Sequence, residues 1–103
     1  MELLQHLRKN PFVLAPMAGI TDHPFRSFMR KRGAGVVVTE LISATGCLYK
    51  NEKTLSLMSF SESQRPIGIQ LFGEDPLVMA EAAKIAEDRG CDFIDLNFGC
   101  PVP

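Results

Sequence analysis

The sequence predicts an α/β fold of parallel strands with helical crossovers, arranged as the N-terminal half of a TIM (β/α)8 barrel. Four apolar runs begin near positions 12, 36, 67 and 93, so that 24, 31 and 26 residues separate their starts. Segments with helix signals lie between the runs, and βα repeats of this size give parallel strands. Each run is followed by polar or conformationally special residues, as expected where an active site forms at the carboxyl ends of barrel strands.

The first unit begins with residues 1–10, which we expect to form a short helix or an arm. Residues 12–15 are continuously apolar, which predicts a strand buried on both faces. A loop at 16–19 leads to a helix capped by Thr21 or Asp22, with proline in its first turn. Basic residues in the last turn suit the helix dipole, and Gly33 ends the helix.

The second strand is predicted at residues 36–39, where the side chains are mostly β-branched, and Glu40 follows it directly. Residues 41–50 are predicted to form a helix or a helical turn. We expect an irregular connection over 51–66, with a short strand near 57–60. The third strand is predicted at 67–71.

Asp75 and Pro76 are a strong helix start, an N-cap followed by proline in the first helical position. Apolar residues then recur at helical spacing until Gly90, which is expected to end the helix. The fourth strand is predicted at 93–96 and is expected to be buried.

A cysteine follows the fourth strand on a constrained turn, Gly99-Cys100-Pro101. Glycine can adopt backbone angles that other residues avoid, and proline pushes the residue before it out of the helical region. A thiol held in this way is well placed to face a substrate. The alternative is that Cys100 is a small buried hydrophobic side chain, as free cysteines often are.

Composition limits the class of protein. The chain has 103 residues, of which 46% are hydrophobic and 22% charged, values typical of one globular domain. The net charge of −1 gives no overall attraction to nucleic acid. A local basic cluster is expected to lie on a solvated helix face. Its members are Arg26, Arg30, Lys31 and Arg32.

The three cysteines, Cys47, Cys91 and Cys100, match neither a zinc-binding spacing nor a disulfide framework. The N-terminus has no apolar core of a signal peptide, and no run approaches the roughly 20 apolar residues that span a bilayer. We therefore expect a soluble, cytoplasmic protein with no metal site and no contact with the membrane.

Four units make half of a barrel that typically takes about 250 residues. A half barrel leaves two open edges and an uncovered interior face, so we expect residues 1–103 to be the partial catalytic domain of a longer chain. A complete small α/β domain is the alternative. No dinucleotide-binding glycine motif follows the first strand.

Four segments, in order along the chain, resemble motifs of the tRNA-dihydrouridine synthases, with the bacterial B-type subfamily most similar. They are 14–26 (LAPMAGITDHPFR), 39–43 (TELIS), 70–76 (QLFG, then DP) and 95–101 (DLNFGCP). The resemblance implies an FMN-dependent TIM barrel that reduces uridine in tRNA to 5,6-dihydrouridine, with NADPH as the reductant. It further implies that hydride passes from flavin N5 to C6 of the uracil and that Cys100 protonates C5. Such a thiol must be protonated, as an unperturbed cysteine with a pKa near 8.5 is at neutral pH.

By the same resemblance, Pro16, Met17 and Ala18 meet the flavin, and Gln70 hydrogen-bonds its pyrimidine edge. An amide offers both a donor and an acceptor for that edge. On the residues alone, Met17 could equally fill a core, and Gln70 could make an ordinary structural hydrogen bond.

The resemblance places Asn97 near the uracil, and it gives Glu40 a role in positioning either the substrate or the flavin loop. The loops that hold the flavin phosphate, and a helical tRNA-binding domain, would lie beyond residue 103, where Pro103 departs from the family pattern. We therefore expect residues 1–103 alone to bind FMN weakly or not at all. Two alternatives remain: a dihydroorotate-dehydrogenase-like flavin barrel, and an inactive truncated domain.

Overall fold

The computed structural model describes residues 2–99, which form short helices around a parallel sheet. The helices are α1 (Leu3–Lys9), α2 (His23–Lys31), α3 (Ala44–Leu48), α4 (Glu52–Leu57) and α5 (Pro76–Asp88), with a 3-10 turn at Glu62–Gln64. The strands are β1 (Val37–Val38), β2 (Ile42–Ser43), β3 (Ile67–Phe72) and β4 (Phe93–Leu96). None of the helices in this range is long and apolar enough to cross a membrane.

Strand β3 is the centre of the sheet, with β1 and β2 along one edge and β4 along the other, all parallel. From Val38 to Ile42 the chain advances four residues, whereas its partner strand advances three, from Gly68 to Leu71. One extra residue against a regular partner is the count of a β-bulge. Strands β1 and β2 are therefore two parts of one strand, interrupted at residues 39–41.

The two faces of the sheet differ in chemistry because side chains alternate along a strand. Ile69 and Leu71 are fully buried and pack in the core with residues of α3 and α5. Gly68 and Gln70 therefore lie on the opposite face. In the register of β4, Phe93 is opposite Gly68 and Asp95 is opposite Gln70, so these two also lie on that face.

The Phe93 ring covers the sheet at Gly68, where a Cβ atom would lie 2.3 Å from the ring carbon Cε2. Glycine is needed here because the ring comes so close to the backbone. Toward the carboxyl ends of the strands, the same face becomes polar, beginning with Gln70 and Asp95.

The predicted caps of the two longest helices are confirmed. The side chain of Asp22 accepts a hydrogen bond from the N–H of Phe25, at 2.9 Å, and Asp75 caps α5 in the same way. Past the helix ends, Gly33 and Gly90 have φ values of 108° and 88°. Glycine adopts this left-handed conformation without strain, which is why each helix ends there.

The prediction of a buried strand at residues 12–15 is wrong. Only Val13 forms a parallel bridge, to Val36, and the side chains of Phe12 and Val13 are 73% and 49% exposed. This segment lies at an edge of the described sheet, and a parallel strand is buried only when neighbours cover it. Strand β4, at the other edge, is half-buried for the same reason.

The prediction for residues 51–66 is also wrong, because α4 and the 3-10 turn replace the irregular connection and no strand forms at 57–60. The Asn51 side chain accepts a hydrogen bond from the N–H of Thr54, at 3.1 Å, and Glu52 lies in the first turn. These are the sequence signals of a helix start. In the segment 41–50, the predicted helix is confirmed at α3, which directly follows β2.

Candidate active site at the carboxyl ends of the strands

A tight turn at residues 17–21 follows the segment whose Val13 bridges to Val36. The N–H of Met17 donates to Thr21 Oγ1 at 2.9 Å, and that hydroxyl donates back to the Met17 carbonyl at 3.1 Å. Thr21 is fully buried, whereas Met17 is 39% exposed and Ala18 is exposed. The buried threonine thus closes the turn. Two predicted flavin contacts, Met17 and Ala18, are exposed on it, and the third, Pro16, precedes the turn and is half-buried.

Glu40 connects this turn to the next strand. Its carboxylate oxygen Oε1 accepts a hydrogen bond of 2.6 Å from the N–H of Gly19. Glu40 lies in the interruption between β1 and β2, where the extra residue changes the direction of the side chains. The irregular strand therefore allows Glu40 to reach the turn.

Thr39 joins the interrupted strand to β3. Its buried hydroxyl accepts a hydrogen bond from the N–H of Gln70 at 3.1 Å and donates to the Glu40 carbonyl at 3.0 Å. The side chain therefore supplies a backbone partner where the regular ladder is broken.

Gln70 is 7% exposed, and its amide lies between two polar side chains of the last strand segment. Nε2 donates to Asp95 Oδ2 at 2.6 Å, and Oε1 accepts a long hydrogen bond of 3.4 Å from Asn97 Nδ2. Asn97 Oδ1 in turn accepts from the N–H of Gly99 at 2.9 Å. These contacts orient the amide, with its nitrogen toward Asp95 and its oxygen toward Asn97.

A series of hydrogen bonds runs from the turn at 17–21 through residues 39–40 to β3 and the end of β4. The structure brings two of the predicted site side chains, Gln70 and Asn97, into contact, and the Glu40 carboxylate contacts the turn at Gly19. Glu40 and Gln70 are joined through the Thr39 hydroxyl, which bridges the Glu40 carbonyl and the N–H of Gln70. Cys100 lies outside the residues that the structure describes.

Sequence reasoning missed two members of this network, Thr39 and Asp95. Asp95 lies two residues after Phe93, so the period of a strand puts both on one face. Thr39 is harder to predict as a member, because a threonine after three valines is also typical of an ordinary strand. Its hydrogen bonds to Gln70 and Glu40 depend on the interruption between β1 and β2.

The residues present fit a flat heterocycle with alternating donors and acceptors, such as a flavin. A glutamine amide has two N–H donors and two acceptor lone pairs, and Asp95 and Asn97 take one of each. One donor and one acceptor remain by this count. Within residues 2–99, no atom lies within 4 Å of a Cβ built on Gly19 or Gly99, so open space adjoins both ends of the network.

Arg26 hydrogen-bonds to Thr21 of the turn and is 1% exposed, so the prediction that it lies on a solvated helix face is wrong. Its guanidinium donates to the Thr21 carbonyl at 2.9 Å, to the Ser59 carbonyl at 2.7 Å and to Gln64 Oε1 at 3.2 Å. Two buried oxygens and one partly buried oxygen, the Ser59 carbonyl, thus obtain a donor from one side chain. Burial lowers the pKa of Arg26, and the negative charges of Glu40 and Asp22 act in the opposite direction.

Arg30 also departs from the predicted solvated face, because it donates to the carbonyls of Arg65 and Ala34. Lys31 and Arg32 are exposed as predicted, and the guanidinium of Arg32 lies 4.9 Å from the ring centroid of Phe28. Helical spacing alone does not show which of four neighbouring cations faces a partner.

Cys47 is fully buried, with its sulfur 3.8 Å from Met58 Sδ, and burial raises the pKa of its thiol. We expect Cys47 to resist iodoacetamide at pH 8 in the folded protein, because the reagent attacks an accessible thiolate. Alkylation followed by peptide mass spectrometry, with and without urea, measures this. Labelling of Cys47 without urea at the rate of the denatured chain would contradict its buried position.

Comparison with known proteins assigns these features to a family. The family profile of dihydrouridine synthase (Dus) matches residues 13–103. The chain is 42% identical over 101 residues to tRNA-dihydrouridine synthase B of Proteus vulgaris, covering 98% of this chain and 31% of that protein. It is 46% identical over 99 residues to a probable tRNA-dihydrouridine synthase of Aquifex aeolicus, covering 95% and 31%.

The chain therefore spans about a third of the length of these relatives. The family fold is a TIM barrel, and the open sheet of parallel strands is a part of such a barrel, which confirms the predicted fold class. Since the family profile covers most of the chain, this protein belongs to the dihydrouridine synthase family.

Proposed function

We propose that this chain is the first part of an FMN-dependent catalytic domain that reduces uridine in tRNA to 5,6-dihydrouridine with NADPH. The observation that carries the proposal is the series of hydrogen bonds from the turn at 17–21 to Asn97, which lies at the carboxyl ends of β1, β3 and β4. Barrel enzymes have their active sites at the carboxyl ends of the strands. The printed names of the relatives support tRNA as the substrate.

In this proposal Pro16, Met17, Ala18 and Gln70 bind the flavin. FMN, when bound, supplies the hydride for C6 of the uracil. The turn presents its exposed tip to the ring, and Thr21 and Glu40 hold that tip in one conformation. Asp95 holds the Gln70 amide in one orientation before FMN binds, which reduces the side-chain entropy lost on binding.

Glu40 had two proposed roles, and its 2.6 Å hydrogen bond to the N–H of Gly19 favours the one in which it positions the flavin loop. Asn97 is proposed to contact the uracil. The Asn97 amide donates to Gln70. A base that moves Asn97 would therefore also move the Gln70 amide, which is proposed to contact the flavin. Cys100, which follows this segment in the sequence, is proposed to donate the proton to C5.

We further propose that residues 1–103 are a partial barrel domain of a longer cytoplasmic protein, and that a separate helical domain makes most contacts with tRNA. The experiment that tests the function uses the full-length protein. FMN should copurify, and incubation with NADPH and a uridine-containing tRNA transcript should add two hydrogen atoms to a uridine, detected by nucleoside mass spectrometry. Turnover of free dihydroorotate without any modification of tRNA would instead support the dihydroorotate-dehydrogenase-like alternative.

Replacing Gln70 by leucine should weaken FMN binding about 10-fold or more. The variant loses the amide that faces the ring, and each hydrogen bond is worth about 1 kcal/mol net. Quenching of flavin fluorescence on binding measures the dissociation constant. The matched control is Gln5→Leu, the same change at an exposed glutamine of α1, which should leave the constant unchanged. Equal affinities of Gln70→Leu and the wild type would exclude the flavin contact.

A further inference from the structure

An exposed aromatic side chain marks the corner between α3 and α4. The ring of Tyr49 is 82% exposed. Three successive backbone N–H groups, from Tyr49 to Asn51, donate to carbonyls of α3 at 3.1–3.2 Å. The Asn51 side chain then caps α4. The ring is therefore carried by a hydrogen-bonded backbone.

Lys50, the next residue, has a φ of 53° and is the one non-glycine with positive φ within residues 2–99. Side chains with a Cβ are strained in this conformation. Strained backbone of this kind occurs preferentially at binding and catalytic sites. Here it occurs directly after the exposed Tyr49, in the two-residue connection between α3 and the cap of α4.

The exposure of Tyr49 has a different cause from that of Phe12 and Phe98, which are 73% and 92% exposed. Those two lie near the outer strand segments of the described sheet, where further strands of a barrel would add. Tyr49 belongs to the connection between β2 and β3, which pair directly with one another. Additional strands at either edge would therefore leave this corner uncovered.

One short helix, α3, separates the corner from the carboxyl end of β2. Helix α3 begins directly after β2 and has five residues, a length of about 7.5 Å. Two exposed lysines, Lys50 and Lys53, follow Tyr49 by one and four residues in the sequence. The acidic residue between them, Glu52, lies in the first turn of α4, where its charge complements the helix dipole.

We propose that Tyr49 is a stacking platform for an unpaired base of the RNA substrate, with Lys50 and Lys53 contacting the adjoining phosphates. An aromatic face with nearby cations is the combination that binds single-stranded nucleic acid, because every base can stack on it. The inference rests on the proposed function. An enzyme that acts on a base must take it out of its stack, which leaves neighbouring bases without stacking partners.

The test uses the full-length protein and an unmodified tRNA transcript, without NADPH so that no turnover occurs. Fluorescence anisotropy with labelled transcript gives the dissociation constant. Tyr49→Ala should weaken binding about 10-fold or more, whereas Tyr49→Phe, which keeps the ring, should stay within about two-fold. The melting temperature should not change in either variant because the ring is exposed.

The lysines are tested by the salt dependence of the same binding. Lys50→Asn removes the charge but retains a residue that tolerates positive φ, and Lys53→Gln removes the second charge. Each should lower the slope of log affinity against log salt by about 0.7 to 0.9. The matched control is Lys84→Gln, on an exposed site of α5, which should leave the slope unchanged.

Wild-type protein that binds and modifies tRNA, together with unchanged affinity of Tyr49→Ala, would overturn the stacking platform and leave the proposed function intact. A lowered melting temperature of Tyr49→Ala with unchanged tRNA affinity would also overturn it, since the ring would then pack against another part of the protein. If wild-type protein modifies no tRNA at all, the proposed function itself fails.

Discussion

Replacing Cys100 by alanine is expected to lower the rate of dihydrouridine formation by about 100- to 10,000-fold, the contribution typical of a positioned general acid. Reduction of the uracil double bond requires a proton at C5, and the alanine side chain has none to give. FMN should remain bound, because its proposed contacts are residues 16–18 and Gln70. The rate is measured under single-turnover conditions with uridine-containing tRNA, and bound FMN by its absorption spectrum.

The matched control for this experiment is Cys91→Ala. Cys91 packs against the core with Ile94 and residues of α5, on the side of the sheet away from the polar network. This variant should keep the wild-type rate. Wild-type activity of Cys100→Ala would remove the cysteine from the mechanism, and loss of FMN from that variant would point to a structural role instead.

Replacing Arg26 by methionine should lower the free energy of unfolding by about 3 kcal/mol or more. Methionine is apolar and of similar length, and it leaves the Thr21 and Ser59 carbonyls and Gln64 Oε1 without this donor. The Thr21 carbonyl and Gln64 Oε1 are buried, and each buried acceptor that loses its partner costs about 1–3 kcal/mol, whereas water can reach the partly buried Ser59 carbonyl. Such a loss is large against the 5–15 kcal/mol that typically stabilises a folded protein. Urea unfolding of the full-length protein, followed by circular dichroism, measures it.

Arg32→Met is the matched control, the same substitution at the end of the same helix. Arg32 is exposed and contacts the Phe28 ring at 4.9 Å, an interaction worth about 0.5–1 kcal/mol at such sites. A similar small loss in Arg26→Met would show that water or other donors replace the guanidinium. We also expect weaker FMN binding in Arg26→Met alone, because Thr21 closes the turn that carries the proposed flavin contacts.

Several elements were predictable because their causes are local. Asp22 and Asp75 cap helices whose first N–H groups lie two or three residues away, and Gly33 and Gly90 end those helices by their own backbone freedom. Local signals were also present in the segment that we predicted wrongly. Asn51 and Glu52 mark the start of α4, but the short helix after them has no long apolar stripe to support the prediction.

The place of the candidate site was predictable from the order of the elements. Parallel strands connected by helices all have their carboxyl ends at the same end of the sheet. Glu40, Gln70 and Asn97 were therefore expected to lie near one another there. The hydrogen bonds that Gln70 donates to Asp95 and accepts from Asn97 agree with that expectation. Their roles toward flavin and uracil remain predictions.

The sequence by itself determined the alternation of strands and helices and the caps of the two longest helices. It also determined that polar groups lie at the carboxyl ends of the strands. These features depend on neighbours within a few residues. Only the tertiary structure decided that Arg26 is buried and that an extra residue interrupts the strand before Ile42. Arg26 reaches Gln64, 38 residues further along the chain, and the interruption exists only relative to the register of β3. Contacts of this range depend on how the elements pack, which local sequence patterns do not encode.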